Sequence, residues 1–306
     1  MAATSSQKTQ QTSKPITTSG LLHLGVVYIV WSSTYLAIRV AVREGAGFPP
    51  FTLGVMRMAA AGLLLFTWAR LKKQKIRATR KELLVLTGSG ILLWSIANGL
   101  VMFAEQRADS GLAALLLATL PIWVTVIESI LDKKMPNFLL AFSLLIGFCG
   151  IGVLVAPSLM QGVRADVISI VALIGGAISW GSGTILQARN PVSQTATVSS
   201  AYQMSAGSIG FIILMLLNRE PSPTPSPSAW LAYAYLVVFG TLAFISFVLA
   251  LRLLPVNIVM TYAYVNPVLA VILGWLILGE QITWWTVAGT ILVLLGVAGV
   301  YRARYK

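Results

Sequence analysis

Residues 120–127 read Leu-Pro-Ile-Trp-Val-Thr-Val-Ile, and residues 266–273 read Asn-Pro-Val-Leu-Ala-Val-Ile-Leu. A shift of 146 residues aligns these two apolar stretches without a gap and places Pro121 on Pro267. Proline is unusual in the interior of a helix, because it lacks the backbone N–H and clashes with the preceding turn. Its recurrence at matched positions therefore indicates an internal repeat.

Other matches extend the repeat over most of the chain. The same shift aligns residues 57–61, Arg-Met-Ala-Ala-Ala, with residues 203–207, Gln-Met-Ser-Ala-Gly. A shift of 149 residues aligns residues 29–34, Ile-Val-Trp-Ser-Ser-Thr, with residues 178–183, Ile-Ser-Trp-Gly-Ser-Gly. We predict three regions, which are a polar tail at 1–20, a first repeat at 21–156 and a second repeat at 167–302.

The composition places these repeats in a membrane. Of the 306 residues, 57% are hydrophobic and only 10% are charged, whereas a soluble domain has about 25% charged residues. Ten apolar segments are each close to the roughly 20 residues that cross a bilayer as a helix. They are Leu21–Ala41, Phe51–Ala69, Leu83–Ala104, Ser110–Leu131, Phe138–Ala156, Val167–Ala188, Val198–Leu217, Trp230–Leu251, Asn257–Leu278 and Ile282–Tyr301.

We therefore predict an all-α polytopic membrane protein. Ten transmembrane helices form two repeats of five, and an odd number of crossings gives the repeats opposite orientations. Such inverted repeats surround a central cavity in carriers that open alternately to either side. No soluble domain interrupts the segments.

The distribution of Lys and Arg predicts the orientation. With the N-terminus inside, sixteen of the 22 basic residues fall in inner segments and four in outer loops, while Arg39 and Arg57 lie within spans. This bias favours cytoplasmic N- and C-termini. The polar tail is then a cytosolic segment and not a cleaved signal peptide. The net charge of +13 follows from this topology and from contact with the lipid bilayer, and we expect no nucleic-acid partner.

Four predicted helices carry an aromatic residue and a hydrogen-bonding residue four positions apart, on one helix face. The pairs are Trp31 with Tyr35, Trp94 with Asn98, Trp180 with Thr184, and Tyr262 with Asn266, and the candidate substrate-binding set also includes Ser33, Thr119, Ser182 and Gln187. Rings that stack and groups that hydrogen-bond suit a small amphiphilic solute. Ordinary helix packing explains such residues equally well, so both interpretations stay open.

Other polar and proline residues have separate predicted roles. Pro121 and Pro267 are candidate hinges or gates. We expect Arg57 and its repeat partner Gln203 to be structural polar residues, with Arg57 reaching the outer surface or pairing with Glu105 or Asp109. The candidate coupling residues, which leave both uniport and proton coupling open, are Glu128 and His23.

Enzyme chemistry is not expected. The chain has no phosphate-binding glycine loop, and its single His and single Cys do not make a metal site of the usual kind. No carboxylate pair lies at one depth for acid–base catalysis. We predict no catalytic residue, no metal and no cofactor.

These motifs together resemble the drug/metabolite transporter superfamily, and specifically its EamA-type ten-span exporters. The resemblance covers roughly residues 20–302 and rests on residues 31–35, 57–62, 110–123 and 266–280. It implies a basket of helices around a central cavity in a bacterial inner membrane. One departure is that the fourth span ends in Asp132-Lys-Lys, whereas its repeat counterpart ends in Leu278-Gly-Glu280.

The expected function is therefore export of an amino acid or a similar small amphiphilic metabolite or drug by alternating access. The alternatives are import or exchange of another metabolite, such as a nucleotide sugar, or a membrane scaffold that transports nothing. The expected partner is a small-molecule substrate. We expect a monomer, with a homodimer as the alternative.

Overall fold

The chain folds into long helices that pack side by side. The structure, a computed structural model, describes residues 16–133, 138–160, 164–254, 259 and 262–305. Several side chains within the last helices, including that of Pro267, lie outside the described part. All regular secondary structure in the described residues is helical, which confirms the predicted all-α class.

The helices begin and end close to the predicted apolar segments. Their bounds are α1 Thr18–Val42, α2 Pro50–Leu71, α3 Arg80–Ala104, α4 Ser110–Leu131, α5 Phe138–Met160, α6 Arg164–Arg189, α7 Ala196–Leu217, α8 Pro227–Leu253, α9 Tyr262–Leu273 continued by Gly274–Leu278, and α10 Trp284–Tyr305. Seven of them, α1 to α4 and α6 to α8, are long and apolar enough to cross a membrane over their described residues. The other three contain shorter apolar helices, Phe138–Gly150, Val268–Leu278 and Trp284–Gly296.

Helices α3 and α4, like α9 with its π-helical end at Gly274–Leu278, depart from regular α-helical geometry. In α3, residues Ile91–Asn98 form a π-helical stretch between two α-helical parts. In α4, the helix stops at Leu117 and resumes at Leu120, so that the break lies directly before Pro121. The proline accounts for the second irregularity, because it cannot donate a backbone hydrogen bond to the preceding turn.

Carboxylates from one half of the chain cap helix N-termini in the other half. The Glu220 carboxylate, after α7, accepts hydrogen bonds from the backbone N–H groups of Phe51 and Thr52 at 2.8 and 2.6 Å. The Glu280 carboxylate, after α9, accepts from those of Ser110 and Gly111 at 3.0 and 3.2 Å. A carboxylate at a helix N-terminus satisfies unpaired donors and complements the helix dipole. These caps tie α2 and α4 to the second half.

Helix contacts are shared between the halves in a recurring pattern. Three helices of the first half each pack on the helix five places later in the chain, namely α2 on α7, α4 on α9 and α5 on α10. Two other contacts have a counterpart in which each helix is replaced by the one five places away in the other half. The contact of α1 with α8 corresponds to that of α6 with α3, and the contact of α1 with α9 corresponds to that of α6 with α4. Large apolar side chains are exposed on the outside of the bundle, for example those of Ile29, Leu63 and Leu84, as a lipid-facing surface requires.

The contact between α5 and α10 depends on small residues. A Cβ atom added at Gly150 would lie 2.6 Å from the backbone nitrogen of Val293, whereas a Cβ added at Gly152 would meet nothing within 4 Å. Small residues at such contacts let helix backbones approach closely.

We expect Gly150→Ala to lower the stability of the detergent-solubilised protein by about 1–3 kcal/mol, because the added methyl group pushes α10 away. Gly152→Ala is the matched control, and we expect it to be neutral or stabilising by up to about 1 kcal/mol through helix propensity. Thermal unfolding of both variants checks this difference. Equal melting temperatures would contradict the close approach at Gly150.

Candidate functional site

A small cavity lies among helices from both halves of the chain. Its volume is about 70 Å³, and α1, α2, α3, α4, α6 and α9 all contribute to its wall. The lining residues are Trp31, Thr34, Tyr35, Ile38, Arg57, Trp94, Ala97, Asn98, Val101, Leu117, Leu120, Ala177, Trp180 and Tyr262. The cavity therefore brings together six of the twelve predicted substrate-binding residues, which are Trp31, Tyr35, Trp94, Asn98, Trp180 and Tyr262.

Aromatic rings form a continuous cluster around this cavity. Trp31 packs edge-to-face against Trp180 at 5.7 Å between ring centroids and against Tyr262 at 5.1 Å. Trp180 in turn packs against Trp94 at 5.9 Å. These edge-to-face contacts follow from the charge distribution of aromatic rings. Trp31 and Trp180 are the residues that the 149-residue shift aligns, and they meet at the contact between the two halves.

The π-helical stretch of α3 carries three of the lining residues, Trp94, Ala97 and Asn98. The Asn98 side-chain amide donates a hydrogen bond to the carbonyl oxygen of Leu93 at 3.1 Å. The wider π-helical turn leaves carbonyl groups without their usual i+4 partner, and π stretches are frequent at functional sites for this reason. The amide of Asn98 therefore both stabilises the irregular turn and borders the cavity.

Arg57 is buried in the cavity wall, with 4% of its surface exposed. Its guanidinium carbon lies 5.5 Å from the centroid of the Trp94 ring, which is within the range of a cation–π contact. Neither its Nε nor its Nη1 atom has a hydrogen-bond partner. The predicted pairing of Arg57 with Glu105 or Asp109 is not observed, and the side chain does not reach the surface.

Gln203, which the 146-residue shift aligns with Arg57, has a different environment. Its side-chain nitrogen donates to the Ser89 hydroxyl and to the Gln187 side-chain oxygen, both at 2.9 Å. These contacts link α7 to α3 and α6. The structural role that we predicted for both residues thus fits the contacts of Gln203. Gln187, a predicted substrate-binding residue, is engaged in this link and lies outside the cavity lining.

The break in α4 lies at the cavity. Leu117 and Leu120, on either side of it, line the wall. The Thr119 hydroxyl donates to the Leu116 carbonyl at 2.6 Å and accepts from the Trp123 indole at 3.1 Å. Thr119 therefore stabilises the break and does not line the cavity. The break directly precedes Pro121, the predicted hinge.

The remaining predicted binding residues form hydrogen bonds with groups of the protein. The Ser33 hydroxyl lies 2.5 Å from that of Tyr235, and the side-chain oxygen of Asn266 lies 3.3 Å from the Ser32 hydroxyl. Ser182 and Thr184 donate to carbonyl groups one turn earlier in α6, at 2.9 Å each. None of these four predicted residues lines the cavity.

The two candidate coupling residues also lie outside the cavity lining. The His23 Nδ1 atom lies 3.2 Å from the Ser246 hydroxyl, and Glu128 is partly buried on α4. The side chain of Pro267, the second predicted hinge, lies outside the described residues. Within the part of the chain that the structure describes, no three His, Cys, Asp or Glu side chains are grouped so as to hold a metal ion.

A group of charged residues lies just beyond one end of the cavity, and we call Arg39, Glu105, Asp109 and Glu280 the end cluster. The Arg39 guanidinium donates to the Glu105 backbone carbonyl at 2.6 Å and lies 4.0 Å from the Asp109 carboxylate. The Glu105 carboxyl is fully buried and neither of its oxygens has a hydrogen-bond partner. The end cluster joins α1, the α3–α4 loop and the α9–α10 loop across the cavity end.

Sequence reasoning missed two kinds of site residue. The apolar lining residues Ile38, Ala97 and Val101 carry no chemical signal, although Ile38, Trp31 and Tyr35 recur at the helical period along α1. The position of Arg57 in the wall was missed because Gln203 suggested a structural role for both residues. Arg57 is charged and the aligned Gln203 is neutral, and this difference was the sequence signal that the two residues have different roles.

Comparisons with known proteins agree on one family. The sequence profile of the EamA-like transporter family matches residues 18–156 and, separately, residues 167–302. The uncharacterized inner membrane transporter YedA of Escherichia coli strain K12 is 32% identical over 284 residues, which are 91% of this chain and 90% of YedA. The uncharacterized transporter YoaV of Bacillus subtilis strain 168 is 22% identical, over 90% of this chain and 94% of YoaV.

One solved structure has the same fold. It is a crystal structure of a protein with 20% sequence identity and a TM-score of 0.65, and the match covers 94% of this chain and 99% of that one. At this identity, the likeness concerns the fold alone.

The buried Glu105 predicts a stability that depends on pH. Desolvation raises the pKa of the Glu105 carboxyl well above its usual value of 4.5, Glu280 raises it further, and Arg39 lowers it. Tyr35 on α1 also interacts electrostatically with this carboxyl. The folded protein therefore holds the proton more tightly than the unfolded chain. This contribution to stability is complete below the unfolded pKa and is lost as the pH rises through the folded pKa.

We expect the melting temperature of the wild type to fall as the pH is raised from about 4.5, and Glu105→Gln to remove much of this fall because the amide stays neutral. Glu44→Gln, at an exposed loop position, is the control and should retain the wild-type slope. Thermal unfolding in detergent across this pH range measures both. A wild-type slope in Glu105→Gln would show that Glu105 is not protonated in the folded state.

Proposed function

Because the chain belongs to the EamA-like transporter family, we propose that it is a carrier that moves a small amphiphilic solute across the bacterial inner membrane. The family match covers both halves of the chain, and the YedA relative is named as an inner membrane transporter. The apolar helices make the chain a multi-pass membrane protein. We further propose export of an amino acid or a similar small metabolite or drug as the direction and substrate class.

The observation that carries this proposal is the cavity between the halves. Its wall combines aromatic rings, including those of Trp31, Trp94 and Trp180, with the amide of Asn98 and the hydroxyls of Thr34 and Tyr35. In the apolar core of a membrane, polar groups are costly unless they have partners or face a functional cavity. A wall of this kind binds the apolar part of a solute by ring contacts and orients its polar part by hydrogen bonds.

Alternating access is the mechanism we propose for this cavity. Two matches of one family profile, over stretches of similar length, support two homologous repeats. The exchange pattern of helix contacts, for example α1 with α8 and α6 with α3, is the pattern that a two-fold relation between inverted repeats produces. Ten crossings with both termini in the cytoplasm complete this proposal. In such carriers, one repeat moves against the other around a fixed site.

The cavity is too small to hold a whole solute of the proposed class. About 70 Å³ is well below the roughly 300–1,000 Å³ of pockets for drug-sized ligands. The wall must therefore move before a whole solute fits. The break before Pro121 and the π-helical stretch of α3 both border the cavity, and each lacks part of the regular helical hydrogen bonding that would resist bending.

The end cluster closes one route to the cavity in this proposal. With cytoplasmic termini, the C-terminal end of α1, where Arg39 lies, faces outward. Release to the outside then requires Arg39 to leave the Glu105 carbonyl, to which it donates at 2.6 Å. The gating roles proposed for Pro121 and Pro267 and the coupling roles proposed for Glu128 and His23 are tested by the same transport assay, with and without a pH gradient.

Asn98→Ala tests the site. We expect it to reduce transport per molecule of folded protein by about tenfold, since a hydrogen bond of roughly 1–1.5 kcal/mol and the π-helical turn are lost together. Asn190→Ala is the matched control, because the Asn190 amide also donates to a helix carbonyl, that of Leu186 at 3.0 Å, but lies outside the cavity lining.

The assay is uptake into liposomes that contain the purified protein, with labelled amino acids and cationic dyes as probes. Uptake of at least one probe above that of empty liposomes is expected. A protein that moves none of them would contradict the carrier proposal and favour a scaffold. Equal loss in Asn98→Ala and Asn190→Ala would remove Asn98 from the site.

A further inference from the structure

The cavity wall holds hydrogen-bond donors without acceptors. The Nε and Nη1 atoms of Arg57 and the Nε1 atom of Trp94 are buried, and none of them has a hydrogen-bond partner among the residues that the structure describes. The guanidinium lies 5.5 Å from the Trp94 ring centroid. Both residues line the cavity. Elsewhere in proteins buried polar atoms are nearly always paired, so three unpaired donors on adjacent cavity residues need an explanation.

The charge of Arg57 also has no counter-ion within the described part of the chain. No carboxylate is among the residues that line the cavity. The two ion pairs in the described residues join Arg39 to Asp109 and Arg189 to Asp132, and neither includes Arg57. A buried charge without a partner is strongly unfavourable, and the cation–π contact with Trp94 offsets only part of this cost.

A glycine on α8 provides the space that the Arg57 guanidinium occupies. A Cβ atom added at Gly240 would lie 2.9 Å from its Nη2 atom, so that the glycine on α8 allows the guanidinium to lie where it does. The aligned residue Gln203 has hydrogen-bond acceptors for its side-chain nitrogen, in Ser89 and Gln187. Among the described residues, the Gln203 side-chain nitrogen therefore has acceptors in other side chains, whereas the Nε and Nη1 donors of Arg57 have none.

We propose that Arg57, together with the Trp94 indole N–H, binds the carboxylate of an organic acid or amino acid in the cavity. This inference deepens the proposed function and rests on it. A guanidinium presents parallel N–H donors that match the two oxygens of a carboxylate. The space of about 70 Å³ accommodates a group of carboxylate size, and the rings of Trp31, Trp180 and Tyr262 lie where the apolar part of the solute would follow.

The test uses two probes with a similar phenyl group and opposite charges, labelled phenylacetate and labelled phenethylamine. Uptake of each into proteoliposomes is measured for the wild type, Arg57→Gln and Arg57→Lys. We expect the wild type to prefer phenylacetate by at least about tenfold, as a charge-assisted bidentate contact implies. Arg57→Gln should lose this preference and keep its uptake of the amine, and Arg57→Lys should retain part of it.

A wild type that moves the amine as well as or better than the acid would overturn the carboxylate site and leave the carrier proposal intact. Loss of both probes by the same factor in Arg57→Gln would also overturn it, because that is the result of a purely structural role. Failure of the wild type to move any amino acid, dye or acid would instead contradict the carrier proposal itself.

Two further measurements serve as a control and as an alternative for this test. Glu105→Gln should leave the preference for phenylacetate unchanged, and an increase in that preference would identify Glu105 as a counter-ion that occupies Arg57 in the wild type, which would contradict the premise of the site. If neither Arg57 variant folds, quenching of wild-type tryptophan fluorescence is used to compare the binding affinities of the two probes. Tighter binding of phenylacetate supports the site, and equal or weaker binding than phenethylamine overturns it.

Discussion

In the apolar core of a bilayer, buried polar groups cannot form hydrogen bonds with water and need partners within the protein, and this constraint explains most of the structure. Helix N-termini of α2 and α4 receive carboxylates from the opposite half, Glu220 and Glu280. Gln203 links α7 to α3 and α6 through its amide. Several buried polar atoms in the described residues nevertheless have no hydrogen-bond partner, and among them are the donors Nε and Nη1 of Arg57 and Nε1 of Trp94. They lie together at the cavity, where a solute could provide the missing acceptors.

The sequence predicted the helical class and most helix positions because these depend on composition and on the length of apolar runs, and it predicted the family from motifs that recur in both halves. It also singled out the aromatic residues Trp31, Trp94, Trp180 and Tyr262, because each is followed four positions later, on the same helix face, by a residue that can form hydrogen bonds. The cross-half caps could not be predicted, because loop residues such as Glu220 meet α2 only in the folded chain. The π-helical stretch of α3 was likewise not visible, because residues 91–98 are as apolar as a regular helix.

Polar residues on a cavity-facing helix divide into two groups that sequence alone does not separate. Ser33, Ser182 and Thr184 bond to neighbouring residues and line no cavity, while Asn98 bonds its own helix and still faces the cavity. Hydroxyl side chains reach the carbonyl of the preceding turn easily, so their presence in a span is weak evidence of a site. Arg57 has no such local acceptor, and its burial is correspondingly more informative.

The most direct measurement asks whether the cavity between the halves is reached from both sides of the membrane. Ala97 lines the cavity, so Ala97→Cys, with the exposed Cys149 changed to Ser, provides a single thiol there. A membrane-impermeant thiol reagent is applied to vesicles of either orientation. The account predicts that Ala97→Cys reacts from each side and that a transported solute slows both reactions. Reaction from one side only, or no reaction, would contradict alternating access through this cavity.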